Sequence, residues 1–508
     1  MYAKYLFASL LCLAVLGAHA QLEQTARFEL PLTGEENEDF QVVSTGHQGL
    51  MIYRRLTGRN EDQVELIRVD TTLKVVWQGY IKIDRKLVLL HAEPKEEFVF
   101  FLFQNRQQSM GDFQIVAVKI DKGDYGTYTV KNLIPFNPTE FIITNEAALI
   151  GGYFNYRPLI LHYNFTTQQS KILPGFFNEP GELTQIKSNA DGSVDVIVSA
   201  RNFEKRKSLY IRNYNALGDL IKTIVLQPDN DKNLAFGRSL KTPSGEQVVA
   251  GVYGRFTEYS RGIFVAQIDE FGEYKINYYN FGELQRFFNY MKAKREKRVK
   301  DRIERRKVKG KKLKFNYRIM VQELVPYGDQ FVMLGEAFYP HYSYPSGRSM
   351  AGFNSTMIPR SFSNPLVRGE LVFDGYQYTH AVVIGFDKNG KLKWDNSFEI
   401  NDVRTFQLQQ YVKIIPEKDR IVLLYLFDNA LRTKIIKNGE VLEGKEVVEL
   451  RGQFKEDVIK PKETEKSNLD YWYGNTFFAS GIHQVKNVRG SVVLMNRRVF
   501  FINKIVHP

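Results

Sequence analysis

The chain has 508 residues, 43% of them apolar and 13% aromatic, with a formal net charge of +13 and a single cysteine. That apolar share suffices for an ordinary large core. One cysteine excludes an internal disulfide, and no apolar run after the first twenty residues approaches the length that crosses a bilayer as a helix.

The chain opens with Lys4, an apolar run of 12 residues over 6–17, and the small-residue triplet Ala18-His19-Ala20. This order reads as a signal peptide over residues 1–20, with the mature chain starting at Gln21. Cys12 lies inside it, so the mature protein is expected to carry no thiol. The expected address is the periplasm, the periphery of the outer membrane, or the cell exterior.

From there, period-2 alternation dominates. Gln41-Val42-Val43-Ser44, Leu50-Met51-Ile52-Tyr53 and Val64 through Val69 are short strands rich in β-branched and aromatic residues, each closed by Gly, Asn or Asp. A strand, an Asp, a tight turn and another strand recur at Asp70, Asp121, Asp269 and Asp387, with looser versions near Asn164, Asn215 and Asn438. Seven residues after the four Asp come Trp77, Tyr128, Ile276 and Trp394. The markers predict hairpins in which Asp or Asn binds its own downstream backbone and a bulky residue buries between sheets. Successive markers are 51, 43, 51, 54, 118 and 51 residues apart, the 118 being one unit plus insertions. A four-stranded unit repeated about every 50 residues predicts an all-β propeller over residues 21–508.

Seven markers give seven blades. The tail adds strand material near 475–485, 491–495 and 499–506, and Arg27-Phe28-Glu29-Leu30-Pro31-Leu32 can supply a missing fourth strand. The expected count is eight, with seven as the alternative. A tandem array of two-sheet sandwiches is the competing fold, and the even spacing argues against it.

The segment Asp387-Lys388-Asn389-Gly390-Lys391-Leu392-Lys393-Trp394 and the stretch from Asp70 to Trp77 resemble blade repeats of the quinoprotein and WD40-like kind. The whole resembles the secreted propellers of Bacteroidetes envelopes, which implies a setting and no activity. Quinoprotein repeats carry a docking Trp in most blades. Here two of three tryptophans take that place, so no quinone or other cofactor is implied.

Two features break the repeat. Residues 292–314 hold fourteen bases, Lys292, Lys294, Arg295, Lys297, Arg298, Lys300, Arg302, Arg305, Arg306, Lys307, Lys309, Lys311, Lys312 and Lys314, against Glu296, Asp301 and Glu304. The surplus is eleven charges, so nearly all of the net charge belongs to this segment. Leu284, Phe287, Phe288 and Met291 lie at helical spacing, Val299 and Ile303 continue the stripe, and Gly310 is a stop signal. A basic helical insertion over 284–314 is expected, with its Phe/Met end against the propeller. Glu296 with Lys300 and Asp301 with Arg305 are expected as helix pairs. The second feature, residues 338–378, is expected as a long Tyr/Pro/Ser/Gly-rich loop between the second and third strands of the sixth blade. Its candidate ligand residues are Tyr339, His341, Tyr342 and Tyr344.

Catalytic motifs do not emerge. The seven histidines after residue 20 show no His-x-His or His-x-x-x-His spacing, Gly347 to Gly352 departs from the nucleophile-elbow spacing, and the Asp387 turn lacks the further acids of a calcium loop. No catalytic, cofactor or metal residue is therefore assigned. The leading expectation is a non-catalytic envelope binding or scaffold protein, using the basic arm and aromatic loop against an envelope protein or an anionic surface such as acidic lipid or lipopolysaccharide. Nucleic acid is disfavoured because the chain is exported and no aromatics interleave the charges. The alternative is a carbohydrate-active enzyme, glycosidase or lyase, that would gather carboxylates from several blades in the central cavity.

Overall fold

The computed structural model describes residues 22–507, except 33, 35–38, 59–60, 106–110, 176–179, 230, 243–244, 256–258, 312, 344–371, 402, 407, 461–466 and 488–495. The expected signal peptide, Lys312, Tyr344 and the strand material at 491–495 lie outside the described residues.

The sheets number eight, and each is a blade of antiparallel strands taken in chain order. The first blade is Gln41–Ser44, Leu50–Leu56, Asp62–Val69 and Val75–Ile83. Six more follow, opening at Leu87–Lys95, Asn137–Ile143, Gly181–Ser188, Asn233–Lys241, Arg318–Tyr327 and Lys413–Pro416. The first strands of these seven blades contact one another in succession, so they line the axis of a ring. The eighth blade has an inner edge made of two pieces, Asp457–Lys460 and Ser467–Tyr473, then Thr476–Asn487 and Asn496–Val506. Its outermost strand is Glu23–Pro31, from the other end of the chain, paired antiparallel with Asn496–Val506. The ring is thus an eight-bladed propeller closed by its N-terminal strand.

Middle strands such as Ile421–Phe427, IVLLYLF, are buried along almost their whole length, while the outer strand Val75–Ile83 alternates. A middle strand has a neighbouring blade on both faces, so both of its faces must be apolar; an edge strand has water on one. The core is correspondingly divided, with one apolar cluster in each of the eight blade interfaces.

All seven markers fall in the turn between a third and a fourth strand. Oδ1 of Asp70 accepts hydrogen bonds from the amides of Thr72 and Lys74, and Oδ1 of Asp387 from those of Asn389 and Lys391. Trp77, Tyr128 and Trp394 pack into the interface with the next blade; Ile276 packs into the interface with the preceding one. The two tryptophans explain two glycines. Gly123 (φ +76°) and Gly439 (φ +78°) sit in the next blade's turn, and a Cβ there would lie 3.2 Å from the Trp77 ring and 2.5 Å from Cβ of Trp394. Only a residue without a side chain combines that backbone with that approach.

Candidate functional site

Strands that run up and down place two kinds of connection on one face of the ring: the link between second and third strands, and the link from one blade to the next. The described residues of 281–317, between blades five and six, and the described ends of the second-to-third connection of blade six, 338–343 and 372–378, therefore crown the same face at the same blade.

The first of these is rooted deeply. Asn280 and Glu283 form a reciprocal cap, with Oδ1 of Asn280 accepting from the amide of Gly282 at 3.0 Å and Oε2 of Glu283 from that of Asn280 at 2.9 Å. Asp395, on the fourth strand of blade six, accepts the amides of Gln285 at 2.8 Å and Arg286 at 2.7 Å. Leu284, Phe287 and Phe288 are buried with Phe281 and Phe315 in the cluster that fills the gap between blades five and six. Tyr290 stacks on the imidazole of His380 at 3.6 Å with a 5° tilt, and its hydroxyl meets that of Tyr317 at 3.1 Å. His380 is wholly buried, and desolvation pushes its pKa down to about 3, so the stack contains a neutral ring.

The helix itself is Ala293–Val308. The sequence stripe predicts a start near Leu284, but residues 284–292 form turns. In this stretch Leu284, Phe287 and Phe288 fill the gap between the blades, and two successive amides are bound by Asp395. The rest of the expected stripe packs as foreseen: Met291, just ahead of the helix, and Val299 and Ile303 within it lie against the same cluster. Lys300 pairs with Glu296 at 2.6 Å. Arg305 instead donates Nε to the main-chain oxygen of Asp301 at 3.2 Å. Arg305, Arg306 and Lys307 occupy the last turn, where the helix dipole favours cations. The amide of Gly310 bonds to the oxygen of Lys307, and that of Lys311 to Arg306, at 2.9 Å each, a Schellman closure around a glycine at φ +61°. Apart from half-buried Lys300, every described base from Lys292 to Lys314 is exposed.

The second connection is less irregular than its composition suggests. Residues 338–343 and 372–378 continue the strands Gln330–Ser343 and Val372–Asp387, pairing from Phe338 with Tyr378 outward to Ser343 with Val372. Only 344–371 lie outside the described residues. Phe373 joins the stem together, with ring centroids 5.0 Å from Tyr376, 5.8 Å from Tyr342 and 6.4 Å from Phe406. Asp374 pairs with Arg404 and lies 3.3 Å from Nδ1 of His341. Tyr339 and Tyr342 are exposed, while His341 is half-buried.

The axis holds charges that no motif marked. Arg238 donates Nη1 to the oxygen of Thr184 at 2.7 Å and Nε to that of Val321 at 3.3 Å, tying the inner strands of blades four, five and six. Its guanidinium is attracted by Glu140 and Glu323, and Gln410 donates to Glu323. Glu140 is open to solvent, yet desolvation raises its pKa, as expected for a side chain in a concave wall. Desolvation also pushes Glu93 up to about 7. A signal did exist: an isolated charge in an inner strand, as in Leu90-His91-Ala92-Glu93-Pro94, Asn137-Pro138-Thr139-Glu140-Phe141 and Phe236-Gly237-Arg238. Among the described residues, no three His, Cys, Asp or Glu side chains are grouped to hold a metal, and no helix is long and apolar enough to cross a membrane.

Comparison with known proteins gives only distant matches. No protein-family model matches the chain. No curated protein matches it. Among solved structures, the polysaccharide lyase Uly1 is 9% identical, with a TM-score of 0.41, covering 82% of this chain and 89% of that one. The β-propeller domain of the Trilobed protease from Pyrococcus furiosus is also 9% identical, with a TM-score of 0.35 over 82% and 93% of the two chains. A protein from Lactobacillus plantarum is 10% identical, with a TM-score of 0.38 over 75% and 91%. Likeness at this level carries no argument about activity.

Proposed function

We propose that this protein is an exported, non-catalytic binding module of the cell envelope that holds an anionic partner against the face crowned by the basic helix. One observation carries the reading: among the described residues of the helix, Lys300 is the one base in an ion pair, and the others stand exposed on a root fixed by five buried aromatic and aliphatic side chains. A cationic rod on a rigid base attracts anions at long range and exposes that attraction to salt. Near an anionic surface each Lys or Arg contributes about 1 kcal/mol. Replacing Lys294, Arg298, Arg302 and Arg305 by Gln, which retains helix propensity, is expected to reduce binding to phosphatidylglycerol vesicles and to a polyanion matrix more than ten-fold in 0.05 M salt. Folding stability is expected to change by no more than about 0.5 kcal/mol, as for surface positions. Unchanged binding would refute the reading.

A second reading, a carbohydrate-active enzyme working in the channel, is favoured by Glu93. A carboxyl raised to about 7 by desolvation is protonated in a large fraction of molecules at neutral pH, as a general acid requires. That reading expects cleavage of some glycan in a reducing-end screen and loss of at least a hundred-fold in rate in Glu93→Gln.

A further inference from the structure

The topology that puts the helix and the hairpin on one face also puts other connections there. Tyr156 lies in the second-to-third turn of blade three, between Ala147–Phe154 and Arg157–Asn164; Phe203 lies in that of blade four, between Val194–Arg201 and Lys207–Tyr214. Tyr259 lies in that of blade five, ahead of Ser260–Ile268. Tyr339 and Tyr342 are on the blade-six hairpin, and Phe406 is on the link to blade seven. All six rings are exposed, Phe203 at 102% and Tyr156 at 65% of the full residue surface, the others between 42% and 46%. Four consecutive blades thus each hold an open aromatic ring toward the same side. At Tyr156 the exposure comes against a backbone preference. Asn155 and Tyr156 form the two-residue turn at φ +47° and +63°, where Gly is the residue that fits without strain. A bulky ring kept in a disfavoured conformation, out in solvent, has no packing reason to be there.

Cations accompany the rings. The Arg318 guanidinium lies 5.0 Å from the Tyr259 centroid, Arg404 flanks the hairpin at Asp374, and the basic helix stands between blades five and six. We infer that this arc is the binding track of an acidic polysaccharide: pyranose rings stack on successive aromatic tips, and their carboxylates meet the neighbouring cations. The inference rests on the anion-binding reading above and names its partner. A bilayer fits less well, because the helix turns Val299 and Ile303 onto the propeller and the tryptophans that anchor interfacial proteins are not on this face: Trp472 is buried and Trp77 and Trp394 sit in blade interfaces. Flat, separated, mostly hydroxyl-bearing rings match a chain of sugars.

The test is binding of the whole protein to polygalacturonate, with dextran as the uncharged glycan and phosphatidylglycerol vesicles as the non-glycan anion. Tyr156→Asn combined with Phe203→Ser and Tyr259→Ser is expected to weaken polygalacturonate binding at least ten-fold and to leave vesicle binding within two-fold. Dextran is not expected to bind. Should the triple variant not fold, Tyr156→Asn alone places a residue suited to positive φ in the turn, and a three-fold or greater loss is expected. If polygalacturonate binding falls only when the helix bases are replaced, the anion-binding reading stands and the aromatic track is overturned. If vesicles bind and polygalacturonate does not, the glycan is overturned. If neither binds, both readings fall together.

Discussion

The eighth blade and the face above blades five and six both concentrate charge, and they use it in opposite ways. In the eighth blade, Arg497 bridges Asp457 at 2.6 Å and Glu29 at 3.0 Å, and Arg27 meets Glu29 at 2.7 Å; none of these side chains is more than 8% exposed. Two cations face two carboxylates, Arg27 lies over the Phe501 ring at 4.7 Å, and His483 stacks on that ring from 3.7 Å. Desolvation pushes the Asp457 pKa up, but the hydrogen bonds from Arg497, Phe454 and Asn487 outweigh it, so the net shift is down. Along residues 292–314, fourteen bases stand against three acids, and the described bases are almost all in water. Charge that is balanced and dry ties the closing strand into the ring; charge that is unbalanced and wet is left to water, counterions and any anion that approaches it.

This contrast can be broken at either end. The largest effect is expected at Arg497. Replacing it by Leu leaves Asp457 and Glu29 buried without their shared partner, and removing one member of a buried pair costs about 3–5 kcal/mol. Denaturant unfolding should show that loss, and limited proteolysis should release the N-terminal strand first, because this strand is held by pairing with Asn496–Val506. The four-base helix variant is expected to be nearly silent in the same unfolding experiment.

Glu336 sharpens the comparison, because it is buried like the eighth-blade acids yet has no cation bonded to it. Its Oε1 accepts the amides of Tyr411 at 2.9 Å and Val412 at 2.6 Å, and Oε2 accepts Nε2 of Gln322 at 2.9 Å. Desolvation outweighs these donors and raises its pKa to about 7. The folded carboxyl therefore holds its proton more tightly than the unfolded one. That contribution is complete below the ordinary value of 4.5 and is lost as pH rises through about 7. At 1.36 kcal/mol per unit the loss is on the order of 3 kcal/mol. Glu336→Gln keeps the amide-accepting oxygen, so its stability is expected to be flatter than wild type between pH 4.5 and 8, measured by unfolding at a series of pH values. An equally steep profile in the variant would assign the effect elsewhere.

The fold was legible because a propeller repeats its own punctuation. Five of the seven hairpin markers bind their downstream amides through Oδ1, at Asp70, Asn164, Asn215, Asp269 and Asp387. An Asx turn is a local interaction, so it reads from sequence alone. Strand boundaries in the last blade were less legible. The split inner edge, Asp457–Lys460 and Ser467–Tyr473, carries no marker, and both pieces are recognised only by their pairing with Thr476–Asn487. The same limit explains the helix. Its amphipathic stripe and Gly310 stop are local and were visible, whereas the segment ahead of it is held by Asp395, more than a hundred residues away in sequence.

By itself, then, the sequence determined the repeat, the turns, the closure by residues near 27–32 and the concentration of positive charge in one segment, because each depends on neighbours within a few residues or on composition. The tertiary structure alone decided which residues share a face. Glu140, Arg238 and Glu323 meet at the axis, and Tyr156, Phe203, Tyr259 and Tyr339 open toward one side, although they come from separate blades. Ring closure brings them together, and no local interaction encodes the distance between one blade and the next.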